Sequence, residues 1–235
     1  MCGRYTLTSP EDIAARFGLG ALSETGIEPQ LEPRYNVSPS QGVPVIVQRE
    51  SGPTLTMMRW GFQPAWMRTD GQRPPPINAR SESLLERPMF RGSVPHGRCL
   101  IPADGFYEWL VVPGSKTKQP VYIHLKGGDL FAFAGLYVQG RDEVGETCVI
   151  VTMAANAVLR PIHERMPVIL DRAAEAGWLD RDLDDPNAAL SYLQPVPEDQ
   201  FEYHPVSTLV SSARNQGPQL IEPVSGAPIG APRLL

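Results

Sequence analysis

Apolar positions along the chain come in short runs bounded by Gly, Pro and acidic clusters, a pattern that predicts many strands and few helices. Arg4 to Leu7 reads as a first strand. Ser9-Pro10-Glu11-Asp12 then opens a helix through Phe17, with Ser9 as N-cap, proline at the first helical position and Gly18 and Gly20 as terminators. Residues 21 to 40 are rich in Glu, Pro and Ser and read as a loop closing at Arg34-Tyr35-Asn36-Val37-Ser38-Pro39. Val45 to Gln48 and Leu55 to Gly61 flank a Glu50-Ser51-Gly52-Pro53 turn and predict a hairpin. Pro44, which lacks an N–H, marks the start of its first strand. Gln63 to Pro76 is expected to be an exposed loop.

In the second half, Cys99 to Leu110, Val121 to Leu125, Leu130 to Val138, Cys148 to Thr152 and Pro167 to Leu170 read as strands. Two short helices, Asp171 to Leu179 and Pro186 to Leu193, and a last strand from Phe201 to Val206 follow. The Pro-, Gly- and Ala-rich stretch from Glu222 onward is expected to be a mobile tail. Strands that do not alternate regularly with helices predict an α+β fold. The expected architecture is a single domain over residues 1–224, with a mixed, largely antiparallel, barrel-like sheet, flanking short helices and a tail at 225–235.

Composition narrows the class. The chain has 235 residues, 42% of them hydrophobic, enough to bury a core. No apolar run approaches the ~20 residues needed to cross a bilayer, and the N-terminus lacks a signal-peptide pattern, so a cytoplasmic protein with no membrane partner is expected. Cys2, Cys99 and Cys148 have no CxxC spacing, which argues against a disulfide framework or a zinc site. Cys99 and Cys148 lie in apolar runs and read as core residues.

The net charge of −5 counts against a nucleic-acid partner, but its distribution does not. Between Met57 and Arg98 stand Arg59, Arg68, Arg73, Arg80, Arg87, Arg91 and Arg98 against Asp70, Glu82 and Glu86, with no lysine. Arginine forks suit phosphate oxygens. An ordinary solvated surface accounts for the charges equally well.

Candidate chemistry begins at Cys2. Removal of Met1 would leave an α-amine and a thiol on adjacent carbons, both usable as nucleophiles near neutral pH. Such a pair suits attack on an aldehyde or an acyl carbon. Three residues could serve it. Glu108, in Gly105-Phe106-Tyr107-Glu108-Trp109-Leu110, shares a strand face with Phe106 and Leu110, so poor solvation would raise its pKa. His163 lies in a polar stretch between apolar strands and is suited to proton transfer. Asn78, next to Arg80, could orient a sugar or an oxyanion. His96, His124 and His204 show no ligand spacing, and no metal or cofactor is expected.

Met1-Cys2-Gly3-Arg4-Tyr5, Arg34 to Pro39, Trp60-Gly61-Phe62, Ile77 to Glu82, Cys99 to Trp109, Ile162 to Pro167 and His204-Pro205-Val206-Ser207 closely resemble, in order, the motifs of the SRAP family, the abasic-site processing proteins or SOS response-associated peptidases. The resemblance extends to about Val224. It implies a DNA-repair protein that forms a covalent crosslink at abasic sites in single-stranded DNA. The family's catalytic cysteine, asparagine, glutamate and histidine fall on Cys2, Asn78, Glu108 and His163. The resemblance also implies phosphate contacts from Arg4 and Arg80, a wedge at Trp66 and Met67, and DNA contacts at Asn36 and Pro39. The expected form is a monomer that meets replication-fork proteins and associates with the nucleoid when on DNA. Two other chemistries of a processed cysteine stay open, a peptidase and a glutamine amidotransferase, although no glutamine-binding motif is evident. A non-catalytic single-strand binding module would use the arginines but not the Cys2, Glu108 and His163 set.

Overall fold

The computed structural model describes residues 2–20, 27, 30–67, 74–141 and 144–225. Thirteen strands among them form two sheets. The first half contributes β1 (Tyr5–Leu7), β2 (Arg34–Val37), β3 (Gly42–Arg49), β4 (Gly52–Trp60) and β5 (Asn78–Arg80). The second contributes β6 (Arg98–Ala103), β7 (Gly105–Leu110), β8 (Gln119–Leu125), β9 (Phe131–Gln139), β10 (Glu146–Ala154), β11 (Arg165–Pro167), β12 (Ile169–Leu170) and β13 (Phe201–Pro205). Five short helices flank them: α1 (Ile13–Phe17), α2 (Pro88–Arg91), α3 (Ser93–His96), α4 (Arg172–Leu179) and α5 (Pro186–Leu190).

One sheet runs β13-β8-β7-β1-β2. The other runs β11-β10-β4-β3-β6-β9-β12 with β5 attached to β10, and pairing of β9 with β10 closes part of it into a ring. Pairing is antiparallel except where β10 meets β4 and β5. The α+β class and the largely antiparallel sheet are as the sequence predicts.

The two sheets meet through aromatic edges. Tyr5 of the first sheet packs on Trp60 and Phe133 of the second at centroid distances of 5.4 and 5.8 Å, and Phe106 reaches Phe133 at 6.1 Å. Edge-to-face pairs of this kind each add about 0.5–1.5 kcal/mol beyond area burial. Because side chains alternate along β7, Phe106 enters this main core while Tyr107 enters a smaller one with Tyr122, Val206, Val210 and Leu220. A C-terminal strap over residues 206–221 therefore covers the outer face of the first sheet.

Several expectations change. Ser9 caps nothing with its side chain: Pro10–Asp12 is a 3-10 turn and the α-helix starts at Ile13. Gly18 does end the helix, in the left-handed region at φ 62°. Arg34 to Val37, read as the end of a loop, is a strand paired with β1. Pro44 lies inside β3 rather than at its start, opposite Met57 of β4. The run from Cys99 to Leu110 breaks at Asp104 into two strands that belong to different sheets. Asp171 caps α4 by accepting from the Ala174 N–H at 2.8 Å. The predicted helix to Leu193 stops at Leu190. Gln63 and Pro64 are buried rather than loop-exposed. The expected tail lies almost wholly outside the described residues. Among the described residues no helix is long and apolar enough to cross a membrane.

Candidate active site

Three strands converge on Cys2, and a turn brings His163 into electrostatic contact with Glu108. The residue precedes β1, and β1 pairs antiparallel with β7 so that Tyr5 faces Phe106 and Thr6 faces Gly105. The Tyr107 N–H donates to the Arg4 carbonyl at 3.0 Å, extending this register toward the N-terminus. Cys2 thus comes level with the stretch of β7 that carries Glu108. The Asn78 side-chain amide on β5 donates to the Cys2 carbonyl at 2.9 Å. β5 is held there by parallel pairing with β10, Asn78 facing Ile150. His163 stands on the turn before β11, the strand on β10's other portion.

Electrostatics follow from burial. Cys2 is fully buried, and its thiol pKa is pushed far up, first by desolvation and then by the charge of Glu108. Its Sγ lies 3.8 Å from the Arg4 carbonyl oxygen, to which it donates. Glu108 is 4% exposed. Desolvation raises its pKa, while the N-terminal positive charge and His163 pull it the other way. The main-chain N–H of Arg165 donates to Nδ1 of His163 at 2.9 Å, which favours the neutral-ring proton on Nε2, and the Arg165 carbonyl oxygen lies 3.2 Å from the same Nδ1. A thiol, a carboxyl of raised pKa and an imidazole thus share one electrostatic environment, which suits proton transfer.

Arg165 and Glu82 were not singled out by sequence. Arg165 donates twice to Glu82, at 2.6 and 2.9 Å, and once to the Thr152 carbonyl at 2.7 Å. Glu82 and Arg165 lie within the motifs Ile77 to Glu82 and Ile162 to Pro167, but neither carries a role there by its residue type alone.

The expected DNA-contact residues divide. Arg80 is exposed and Trp66 is 64% exposed, with Met67 and Pro39 half-buried. Arg4 is half-buried and donates to Asn36 Oδ1 at 2.9 Å and to the carbonyls of Val210 at 3.0 Å and Ser211 at 3.3 Å. Asn36 is a correction: it is fully buried, and its Nδ2 lies 2.9–3.1 Å from the carbonyls of Val210, Ser212 and Asn215. It anchors the strap instead of meeting a ligand. Arg98 is a second correction. It is buried and donates to the carbonyls of Val94, Pro95, Trp178, Asp180 and Leu183, so it belongs to the fold and not to a phosphate surface. Arg68 and Arg73 lie outside the described residues. The three cysteines are free and buried, and no metal-ligand cluster occurs among the described residues.

Two open clefts of about 970 and 1030 Å³ lie elsewhere, between the β3–β4 turn and the end of α4. They adjoin Arg49, Arg181 and Asp182, and none of the four site residues lines them. Volume is the poorer guide here, because Cys2, Asn78, Glu108 and His163 lie outside both clefts.

The chain is similar to known proteins along most of its length. Residues 1–213 match the family model for SOS response associated peptidase (SRAP). The chain is 42% identical over 226 residues to the abasic site processing protein YoqW of Bacillus subtilis, covering 94% of this chain and 99% of that protein. It is 34% identical to the abasic site processing protein YedK of Escherichia coli, covering 95% and 100%. A crystal structure of a Bacteroides thetaiotaomicron protein superposes with a TM-score of 0.81 at 24% identity, covering 95% of this chain and all of that one.

Proposed function

We infer, from the premise that this chain belongs to the SOS response associated peptidase (SRAP) family, that it is a DNA-repair protein that captures abasic sites in single-stranded DNA as a covalent crosslink through Cys2. The observation that carries the reading is the fully buried Cys2, held by Asn78 at its carbonyl and in electrostatic contact with Glu108. The names of its relatives supply the substrate.

The chemistry requires removal of Met1, which frees the α-amine of Cys2; self-removal would account for the peptidase in the family name. The ring-opened abasic sugar presents an aldehyde at C1′. The amine nitrogen adds to that carbon, and loss of water gives an imine. The thiol then adds across the C=N bond: sulfur bonds to C1′, the nitrogen gains a proton, and a five-membered thiazolidine closes. Aldehyde and aminothiol thus yield the ring and one water.

Burial holds the thiol in its protonated form, so the amine acts first and sulfur follows. Glu108 takes the thiol proton and returns one to nitrogen. Its raised pKa brings both of its protonation states within reach. His163, protonated at Nε2, donates to the sugar oxygen during ring opening and assists the reverse reaction. Asn78 holds the Cys2 main chain while the ring closes. The second step is intramolecular, and well-oriented steps of this kind reach effective molarities of about 10⁵ M or more. Arg80 and Trp66, both exposed, are suited to flanking phosphates and bases.

The test is incubation with an abasic single-stranded oligonucleotide followed by a denaturing gel, with mass spectrometry of the protein N-terminus. A heat-stable shifted band that vanishes in Cys2→Ala is expected, together with absence of Met1. No such band, or an undiminished band in Cys2→Ala, overturns the reading. Glutaminase or peptidase turnover without a crosslink would favour hydrolysis by the same nucleophile.

A further inference from the structure

β1 directly follows the segment that carries Cys2, yet it is weakly held by its own backbone. It is three residues long, its pairing with β7 extends over Tyr5↔Phe106 and Thr6↔Gly105, and its register with β2 shifts between Tyr5 and Leu7. A strand paired so briefly has little in its ladder to forbid a slip, and a slip of one residue turns every side chain to the opposite face. Here it would carry Cys2 away from Glu108.

A buried carboxylate meets this need. Asp104 is 5% exposed and occupies the single residue between β6 of one sheet and β7 of the other. Its Oδ1 accepts from the Thr6 hydroxyl, and its Oδ2 accepts from the N–H of Thr8 and, at 2.8 Å, from the Thr8 hydroxyl. Its own N–H donates to the Thr6 carbonyl at 3.1 Å. The single hydroxyl hydrogen of Thr6 goes to Asp104, so Tyr122 donates its hydroxyl hydrogen to Thr6 Oγ1, at 3.1 Å. Gly105 makes room for that contact, because a Cβ there would stand 2.2 Å from the Tyr122 oxygen.

Thr6 and Thr8 are two apart and share one side of the chain. A one-residue slip would present Tyr5 and Leu7 instead, and Leu7 has no side-chain donor. The carboxylate therefore recognises one register and rejects its neighbours. It does so four residues before Glu108 and four residues after Cys2 along the paired strands.

We propose that Asp104 is a positioning residue for the Cys2 chemistry: by clamping Thr6 and Thr8 it sets the register of β1 on β7 that holds Cys2 beside Glu108. The proposal rests on the crosslinking role inferred above.

Asp104→Asn is the first test, since an amide of equal size puts an NH₂ where two donors must be accepted. With variants that unfold cooperatively, single-turnover crosslinking to an abasic oligonucleotide at saturating DNA should slow about tenfold or more while DNA affinity stays within about twofold. The limb of the pH–rate profile due to Glu108 should move further up as the N-terminal charge, which pulls the Glu108 pKa down, parts from it. Thr8→Val should repeat the loss, and Thr8→Ser, which keeps both donors, should not. If Asp104→Asn fails to fold, Thr8→Val and Thr8→Ser carry the test alone. A reaction-independent readout is hydrogen exchange at the Tyr107 amide, which donates to the Arg4 carbonyl; its protection should fall in Asp104→Asn and Thr8→Val. Unchanged rate and pH profile, or unchanged Tyr107 protection, overturns the proposal. Failure of the wild-type protein to crosslink would overturn the functional reading instead, and the exchange result would still decide the clamp.

Discussion

The side-chain Nδ2 of Asn78 donates to the main-chain carbonyl of Cys2 at 2.9 Å, while its Oδ1 is buried without a hydrogen-bond partner among the described residues. One end of the amide fixes the nucleophile and the other is an unused acceptor in the same site. Asn78→Asp keeps the shape but turns the donor into an acceptor facing a carbonyl. A lost and inverted hydrogen bond of this kind costs about 1–3 kcal/mol, so crosslinking should slow about 10- to 100-fold. Single-turnover kinetics on an abasic oligonucleotide measure it; an unchanged rate would remove Asn78 from the chemistry.

Glu108 is held above its ordinary value of 4.5 by burial. A carboxyl raised in the folded state favours the protonated form, so its contribution to stability is full below the unfolded value and is lost as pH rises through the folded one. Glu108→Gln has no such loss. The variant should therefore unfold at a higher temperature than the wild type at pH 8 and at the same temperature near pH 4, with about 2–4 °C for each kcal/mol gained in a chain of this size. It should also crosslink far more slowly. Thermal scans across pH check the first outcome and the gel assay the second.

Asn36 ties β2 to the strap through carbonyls of Val210, Ser212 and Asn215 and receives Arg4. Asn36→Ala removes the donor to Ser212 and Asn215 and the side-chain acceptor of Arg4, and should cost about 1–3 kcal/mol. Urea unfolding gives the magnitude. Limited proteolysis should show faster cleavage within residues 207–216.

Arg98 and Arg80 look alike in sequence and should behave oppositely. Arg98→Ala orphans buried carbonyls and should destabilise by about 3 kcal/mol or more, with the salt dependence of DNA binding unchanged. Arg80→Ala, at an exposed position, should alter stability by no more than about 0.5 kcal/mol. It should reduce the log–log salt slope for single-stranded DNA by about 0.7. Denaturation and DNA titrations at several salt concentrations separate the two.

Much of the fold was legible because its causes are local. Apolar runs between Gly and Pro turns gave the strands of the second half, and Asp171 followed by an apolar face gave α4. What failed were elements whose cause lies elsewhere in the chain. β2 has no strong strand signal and becomes a strand because β1 needs a partner. Asp104 breaks an apolar run in two because its carboxylate is claimed by Thr6 and Thr8. Among seven arginines, charge could not distinguish Arg80, which faces water, from Arg98, which is closed over by five carbonyls.

The sequence by itself determined which chemical groups the protein has and which strands can form: a cysteine at position 2, a carboxylate between apolar strand neighbours, and an ordered series of motifs that named the family. Those are properties of residues and near neighbours. Only the tertiary structure decided that Cys2 is fully buried beside Glu108, that Asn78 holds its carbonyl, and that Asn36 faces the strap rather than a ligand. Each depends on residues 76 to 179 positions apart meeting in the fold, and register is fixed by which faces can be buried together, not by any stretch of sequence alone.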